Sequence, residues 1–235
     1  MSTPENLLLH RLDESHRTAL SGHFQRVWLD QRQTLYEPYE PIRRVYFPVT
    51  AVCSMVSVMA EGQTLQVATI GCEGLTGATL ALAGDSMPFR TLAHVEGECY
   101  AMDGDHLLGL LAEDGYFRSF VQRYVLAFMV ELGQTVGCSS LHQVEGRLAR
   151  WLLLSHDRAQ RDDFEMTHDL ISEMLGVRRA SVTEAAGRLQ ARGAIAYSRG
   201  HIRVSDRRLL ESAACECYAI IREAYDRLLE KPAAA

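Results

Sequence analysis

The spacing of apolar residues changes along this chain of 235 residues. From residue 5 to residue 29 they recur at every third or fourth position, which predicts an amphipathic helix. Between Thr34 and Met102, short runs rich in Val, Tyr, Phe and Thr alternate with Gly and Pro turn signals, which is typical of β-strands. The predicted strands are RRVYFPV, VCSMVSVMA, QTLQVATI, FRTLAHVE and ECYAMD. Short strands at this spacing favour an antiparallel barrel or sandwich.

A long helical repeat follows the strands and runs from Tyr116 towards Ser139. Its main apolar stripe consists of Phe117, Phe120, Val121, Tyr124, Phe128, Leu132 and Val136. Leu126, Met129 and Val130 add apolar surface on a second face, which leaves room for the same helix of a second copy. The alternative is one wide face that is buried entirely within the monomer.

A second helix is predicted over residues 144–156, after a break at residues 138–142, and the polar stretch 157–163 predicts a loop. These changes of pattern divide the chain into a strand-rich region (1–114), a predicted dimerisation helix with hinge (115–143) and a C-terminal domain (144–235). The predicted fold class is α+β.

Residues 166–189, MTHDLISEMLGVRRASVTEAAGRL, have the pattern of two short helices joined by a tight turn. Thr167 is a candidate N-cap, and Gly176 lies where the first helix must end in a left-handed conformation. The apolar faces are Leu170, Ile171, Met174 and Leu175 in the first helix, and Val182, Ala185, Ala186 and Leu189 in the second. Arg178, Arg179, Ser181, Thr183 and Glu184 lie opposite. Such side chains can bond base edges in a major groove, so the pattern predicts a DNA-binding helix-turn-helix.

The segments 193–197 and 201–204 flank Arg199-Gly200 and predict a hairpin with a basic tip, a wing that can follow the phosphate backbone. Residues 176–208 contain eight arginines and two acidic residues, a formal charge of +6, whereas the whole chain carries −6. This asymmetry is what an electrostatic footprint on DNA looks like, although a solvated basic face would have the same composition.

The chain resembles the Crp/Fnr family of transcription regulators over EGRLARWLL (145–153), MTHDLISEMLGVRRASVTEAAGRLQ (166–190) and RGAIAYSRGHIRV (192–204). The resemblance implies a cyclic-nucleotide-binding-like jelly-roll barrel, a long dimer helix and a winged helix-turn-helix. It places Arg179, Ala180 and Glu184 where family members read bases. Ala180 replaces a common glutamate and Glu184 replaces a frequent arginine, so the operator half-site cannot be transferred. Pattern and resemblance together nominate Thr167, His168, Arg178, Arg179, Ala180, Ser181, Thr183, Glu184, Arg199, Gly200 and His201.

The resemblance also implies two copies bound to a palindromic double-stranded operator, with RNA polymerase as a further partner. In members that bind cyclic nucleotides, a Gly-Glu turn and an Arg-Ser-Ala segment hold the cyclic phosphate. This chain has Gly71, Glu73, Gly74, Arg90 and Thr91 in comparable places, but leucine follows Arg90-Thr91. We therefore expect the effector to differ from cyclic AMP and leave its identity open.

The six cysteines include no CxxC motif and no N-terminal group that would hold an iron–sulfur cluster. The sequence therefore predicts no specific cofactor. Cys138 and His142 are four residues apart, and Cys215-Glu-Cys217 belongs to a C-terminal helix that is predicted over residues 208–229. If that helix folds back on the hinge, the four side chains could form a metal or redox site. Buried, inert thiols are the alternative.

Other classes fit the sequence less well. The strand region has too few histidines for a cupin-like enzyme, and no nucleophile elbow or Walker loop occurs, so we expect no catalysis. No signal peptide or run of eighteen apolar residues is present, so we expect a cytoplasmic protein without a membrane partner. A dimeric adaptor that signals through protein contacts without binding DNA remains an alternative.

Overall fold

The computed structural model describes residues 5–229. Its helices are α1 (Leu7–His10), α2 (Glu14–Ser21), α3 (Gly104–Glu113), α4 (Gly115–Leu141), α5 (Val144–Ala159), α6 (His168–Leu175), α7 (Arg179–Ala191), α8 (Arg207–Ala213) and α9 (Cys217–Leu229), with a 3-10 helix at Ala78–Leu82. Its strands are β1 (Gln25–Leu29), β2 (Thr34–Tyr36), β3 (Arg44–Pro48), β4 (Val52–Val58), β5 (Thr64–Ile70), β6 (Arg90–Val95), β7 (Gly97–Asp103), β8 (Asp163–Glu165), β9 (Ile195–Ser198) and β10 (His201–Val204).

The helix predicted over residues 5–29 is wrong in its extent. Two short helices, each with a side-chain N-cap, occupy the first part, and the chain then enters β1. β1 pairs antiparallel with β7, with Gln25 opposite Ala101 and Leu29 opposite Gly97. The stabilising partner is thus about seventy residues away, and local periodicity does not contain that information.

Two antiparallel sheets form the N-terminal half, with strand orders β1-β7-β3 and β2-β6-β4-β5. The five strands predicted from sequence correspond to β3–β7, whereas β1 and the three-residue β2 were missed. The inward residues of both sheets belong to one buried cluster, which includes Val45, Phe47, Val56 and Ala93. The predicted α+β fold class is confirmed, since the antiparallel N-terminal sheets are followed after Asp103 by a mainly helical half with one small sheet, β8-β10-β9.

α4 begins at the side-chain cap of Asp114 and runs to Leu141, two residues past the predicted end. By length and by a mean hydropathy of 1.2, α4 could cross a membrane. Among residues 5–229 it is the one helix with these properties. It packs against α9 and β5 instead and buries the charged Glu131, as the core helix of a folded domain does.

α5 extends to Ala159, and β8 follows almost at once, so the predicted loop at 157–163 is too long. Arg158, which looks like a surface residue in that polar stretch, is buried. β8 adds a third strand beside β10, outside the β9-β10 hairpin. The C-terminal helix predicted over 208–229 consists of α8 and α9 with a break at residues 214–216.

Candidate nucleic-acid interface and sensor cavity

The helix-turn-helix has the local geometry that its sequence predicts. Thr167 caps α6 by accepting a hydrogen bond from the amide of Leu170 at 3.2 Å. Gly176 ends α6 at φ 62°, a left-handed conformation that is strained for residues with a Cβ. A Cβ at Gly176 would also come within 2.8 Å of the terminal methyl of Leu65 in β5, a flexible side chain that can move, so the requirement for glycine comes mainly from φ.

α7 buries one face and exposes the other. Val182, Ala185, Ala186 and Leu189 are buried against the rest of the domain, as predicted. Among the nominated residues of α7 and its N-cap, Ser181 is half-buried and the others are exposed: Arg178, Arg179, Ala180, Thr183 and Glu184. They occupy the N-terminal turns of the helix, the part that enters a major groove in helix-turn-helix complexes.

The wing is a tight hairpin. Arg199 (φ 49°) and Gly200 (φ 84°) connect β9 to β10 in a two-residue loop with both φ values positive, the geometry of a type I′ turn. His201 and Arg199 are exposed near the tip. His168 stacks on Tyr197 of β9 at 4.2 Å between ring centroids, and its Nδ1 lies 2.9 Å from the Thr183 hydroxyl. This histidine therefore joins wing, α6 and α7.

The arginines of this surface differ in how they are paired. Arg188 bridges Glu184 and Glu145, and Arg203 donates from two guanidinium nitrogens to the two carboxylate oxygens of Asp163. Arg179 is 3.4 Å from Asp169 in a pair exposed on both sides. Within residues 5–229, neither Arg178 nor Arg199 takes part in an ion pair. A phosphate or base could bind these two without displacing a carboxylate.

Comparison with known proteins gives a family for this domain. Residues 146–213 match the Crp-like helix-turn-helix domain. No curated protein matches the chain. Among solved structures, FixK2 from Bradyrhizobium japonicum superposes with a TM-score of 0.69 at 16% identity over 82% of this chain and 98% of its own. This chain therefore has a Crp-like helix-turn-helix domain at its C-terminal end and the fold of Crp/Fnr regulators.

Two structures of transcription regulators superpose similarly. A CRP-family transcriptional regulator from Thermus thermophilus has a TM-score of 0.65 at 19% identity over 80% of this chain and 96% of its own. CLP, the c-di-GMP-responsive regulator of Xanthomonas campestris, has a TM-score of 0.64 at 12% identity over 83% of this chain and 100% of its own. The predicted resemblance to the Crp/Fnr family is confirmed, and these neighbours are regulators rather than enzymes.

The N-terminal half of this Crp/Fnr fold contains an apolar cavity of about 130 Å³ between the four-stranded sheet and α4. Its walls include Met55, Phe89, Phe128 and Leu132. Of the five predicted effector residues, Thr91 lines this cavity. Arg90 is paired with Glu37 at 2.9 Å beside it.

The other three predicted effector residues, Gly71, Glu73 and Gly74, lie in a turn that is filled by the chain itself. A Cβ at Gly71 would come within 2.2 Å of the Arg158 Cβ, and one at Gly74 within 2.4 Å of the Tyr124 hydroxyl. Both glycines therefore allow close packing of α5 and α4, not the approach of an anion.

Glu73 belongs to a buried group that we call the Arg158 junction: Arg158, Glu73, Glu131 and Tyr225. The Arg158 guanidinium is 2.8 Å from Glu73 and 2.6 Å from Glu131, and the Tyr225 hydroxyl donates to Glu131 at 2.9 Å. Burial raises the pKa of Glu73, which the positive charge of Arg158 opposes. The junction connects the turn after β5, α4, α5 and α9 at one point. The sequence pattern did not indicate it, because Arg158 stands in a polar stretch.

His94 makes a second buried contact between the two halves. Its Nδ1 lies 2.7 Å from the Ser54 hydroxyl in β4, and its Nε2 lies 3.2 Å from the Ser155 hydroxyl in α5. The ring is fully buried. Burial, aided by the charge of Arg158, lowers the pKa of His94 to about 3, so the ring is neutral. Nearby, the Trp151 indole of α5 donates to Gln66 of β5.

The thiol cluster, Cys138, His142, Cys215 and Cys217, is brought together as the sequence hypothesis required. Their ligand atoms all lie within 4.8 Å of one another. A hydrogen bond from the Cys215 thiol lowers the pKa of Cys138 to about 5 and raises that of Cys215. The cluster lies where α4 ends, between the long helix and the start of α9.

Proposed function

We propose that this chain is a sequence-specific, DNA-binding transcription regulator whose N-terminal sheets control its C-terminal winged helix-turn-helix. The observation that carries the proposal is α7: its N-terminal turns expose two arginines, a threonine and a glutamate beside a basic wing, within a Crp-like domain. Arg179 and Glu184 supply a donor and an acceptor that can distinguish base pairs. We propose the divisions 1–114, 115–143 and 144–235 for sensor, dimer helix and head, and a cytoplasmic location.

Selection of binding sites from random duplexes by the full chain tests this function. We expect a roughly palindromic consensus and an affinity that falls steeply as salt rises, because bound arginines release counterions from the phosphates. Arg17→Ala, an exposed arginine in α2 remote from α7, is a matched control that should leave binding unchanged. A dimeric protein that retards no DNA at low salt would establish the adaptor alternative instead.

We propose that the regulator is a homodimer formed through α4. The exposed residues Leu126, Met129, Gly133, Val136 and Ser140 repeat at alternating spacings of three and four along this helix. Leu126, Met129 and Val136 are 49%, 57% and 68% exposed in the monomer, so the intramolecular core does not cover them. This a/d spacing is that of a helix that packs on a second helix. Two heads related by the dimer axis could then reach half-sites one helical turn apart.

Sedimentation of Val136→Glu tests the dimer. We expect dissociation into monomers, because a carboxylate buried in an apolar seam is unfavourable. Leu108→Glu changes another exposed apolar residue, in α3, and should leave the mass unchanged. A Val136→Glu protein that stays dimeric would move the interface away from this stripe.

We infer that the apolar cavity is the effector site. Its walls favour a ligand with an apolar body, and Phe128 and Leu132 would place that ligand in contact with α4. A ligand there could change the packing of the helix pair, and the Arg158 junction could transmit the change to the head. Mass spectrometry of molecules that copurify with the native protein should identify it. Leu132→Trp should abolish its retention, whereas Leu108→Trp should not.

RNA polymerase is proposed as a further partner at promoters where the regulator activates transcription. The proposal has support only from the likeness to other Crp/Fnr regulators. In transcription reconstituted with purified polymerase, an operator-dependent rise in transcript would support the contact, and a fall would indicate repression.

A further inference from the structure

The thiol cluster combines three sulfur atoms and one imidazole from two distant parts of the chain. Cys138 and His142 come from the last turn and the C-cap of α4, and Cys215 and Cys217 from the break before α9 and its first residue. The Sγ atoms of Cys138 and Cys215 are 3.6 Å apart, and Cys217 Sγ is 3.4 Å from His142 Nδ1. All four ligand atoms lie within 4.8 Å of one another.

These separations are close to those of a tetrahedral metal site. Zinc bonds of about 2.3 Å to sulfur and about 2.0–2.1 Å to nitrogen give ligand–ligand edges of roughly 3.6–3.8 Å. A disulfide would require a sulfur–sulfur distance of about 2.05 Å. The observed distances therefore fit ligands arranged around an ion better than a bonded pair of cysteines.

The surroundings of the cluster also resemble a metal site. The Nε2 of His142 lies 3.1 Å from the Glu216 carboxylate, which fixes Nδ1 as the atom that faces the sulfurs. Gln134 donates to Cys217 Sγ at 3.1 Å. Arg150 of α5 is buried and lines one small pocket with Ser139, the residue after Cys138, and its Nε has no hydrogen-bond partner within residues 5–229. A site of three thiolates and one divalent ion has a net charge of −1, which this guanidinium would offset.

We propose that Cys138, His142, Cys215 and Cys217 bind one zinc ion in a tetrahedral Cys₃His site. On binding, the three thiols release their protons to solvent and each sulfur forms a bond to the ion, while His142 contributes the lone pair of Nδ1. No electron transfer is involved. The ion connects the end of α4 to the start of α9.

The position of the site suggests what the ion controls. The chain between α4 and α5 consists of His142 and Gln143, so a ligand lies within the hinge itself. A bound ion would hold this hinge and α9 in one arrangement, and its loss would allow α5 and the head to move relative to α4. This regulatory role rests on the proposed DNA-binding function, whereas the zinc site does not.

Metal analysis of the full chain, purified and dialysed under reducing conditions, tests the site. We expect about one zinc per chain in the wild type and almost none in Cys217→Ser. Cys99→Ala removes a buried thiol of the barrel and should keep the full zinc content. Cobalt in place of zinc should show thiolate charge-transfer bands and the strong visible absorption of a tetrahedral ion, both lost in Cys217→Ser.

Glu216→Gln keeps the proposal testable if Cys217→Ser fails to fold. Its exposed side chain can change without loss of packing, and removal of an outer-shell carboxylate should weaken zinc binding about 10–100-fold. Folded, reduced wild type that takes up no zinc at micromolar concentration would overturn the site. Uptake that is the same in both variants as in the wild type would also overturn it.

A third outcome would replace the metal site by a redox pair: no zinc bound, but a Cys138–Cys215 disulfide formed on mild oxidation.

The proposed effect of zinc on DNA binding has its own measurement. Zinc removal should change operator affinity in the wild type and leave Cys217→Ser unaffected. If zinc binds but DNA does not, the proposed function fails and the site stands.

Discussion

The arginines of the α7 surface and the arginine at the Arg158 junction are the same residue type in opposite environments. Arg179 is two-thirds exposed and weakly paired with an exposed aspartate, whereas Arg158 is 4% exposed and holds two buried carboxylates. An exposed charge keeps its hydration and is available to a partner. A buried charge depends on its intramolecular partners and therefore fixes how elements pack. Substitutions of exposed arginines should thus alter contacts with DNA, whereas substitutions of Arg158 should alter how the helices pack.

The largest effect should come from Arg158→Met, which fills similar volume but leaves Glu73 and Glu131 without their cation. We expect the free energy of unfolding to fall by about 3–5 kcal/mol, because two buried carboxylates lose their partner. Urea denaturation followed by circular dichroism measures this change. Arg26→Met breaks the exposed ion pair with Glu98 and should leave the unfolding midpoint unchanged. Equal losses in the two variants would contradict the distinction between buried and exposed arginines.

Arg179→Ala should separate binding from stability. We expect a loss of about 1–3 kcal/mol in specific operator affinity, with relaxed preference at one base pair and an unchanged unfolding midpoint. Competition binding with the selected operator and its single-base variants measures both. The Arg17→Ala protein again serves as the control. An unaltered operator affinity would assign base recognition to another residue of α7.

His94 should make the contact between the sheets and α5 sensitive to acid. Its pKa is lowered from 6.5 to about 3 in the folded state, so the unfolded chain binds a proton more readily between these values. The stabilisation is therefore complete above pH 6.5 and is lost as pH falls. At about pH 5 the loss should reach about 2 kcal/mol. Urea denaturation at about pH 7 and about pH 5 should show this difference in the wild type and a smaller one in His94→Gln. Parallel losses in both proteins would exclude His94 as the cause.

Arg203→Gln should have the smallest effect. Its pair with Asp163 is exposed on both sides, so we expect no resolvable change in unfolding. If Arg203 contacts a phosphate through the wing, the slope of log affinity against log salt should decrease by about one. A salt titration of operator binding measures the slope. An unchanged slope would place Arg203 outside the DNA contact.

Features that depend on near neighbours in sequence could be predicted. The Thr167 cap, the left-handed Gly176, the buried face of α7 and the Arg199-Gly200 turn all follow from residues within one or two helical turns. The strands β3–β7 were predicted for the same reason, since alternation and turn residues are local signals. The family resemblance rested on these segments.

Tertiary structure alone decided the features that join distant segments. β1 forms because β7 offers it a partner, β8 because β10 does, and Arg158 is buried because Glu73 and Glu131 surround it. The prediction of the thiol cluster depended on α9 folding back towards the hinge. In the structure it does, and Cys138 contacts Cys215, which is 77 positions away in the chain. Local patterns determine which helices and turns form, but pairing partners, burial of charge and convergence of ligands arise from packing between residues far apart in the chain.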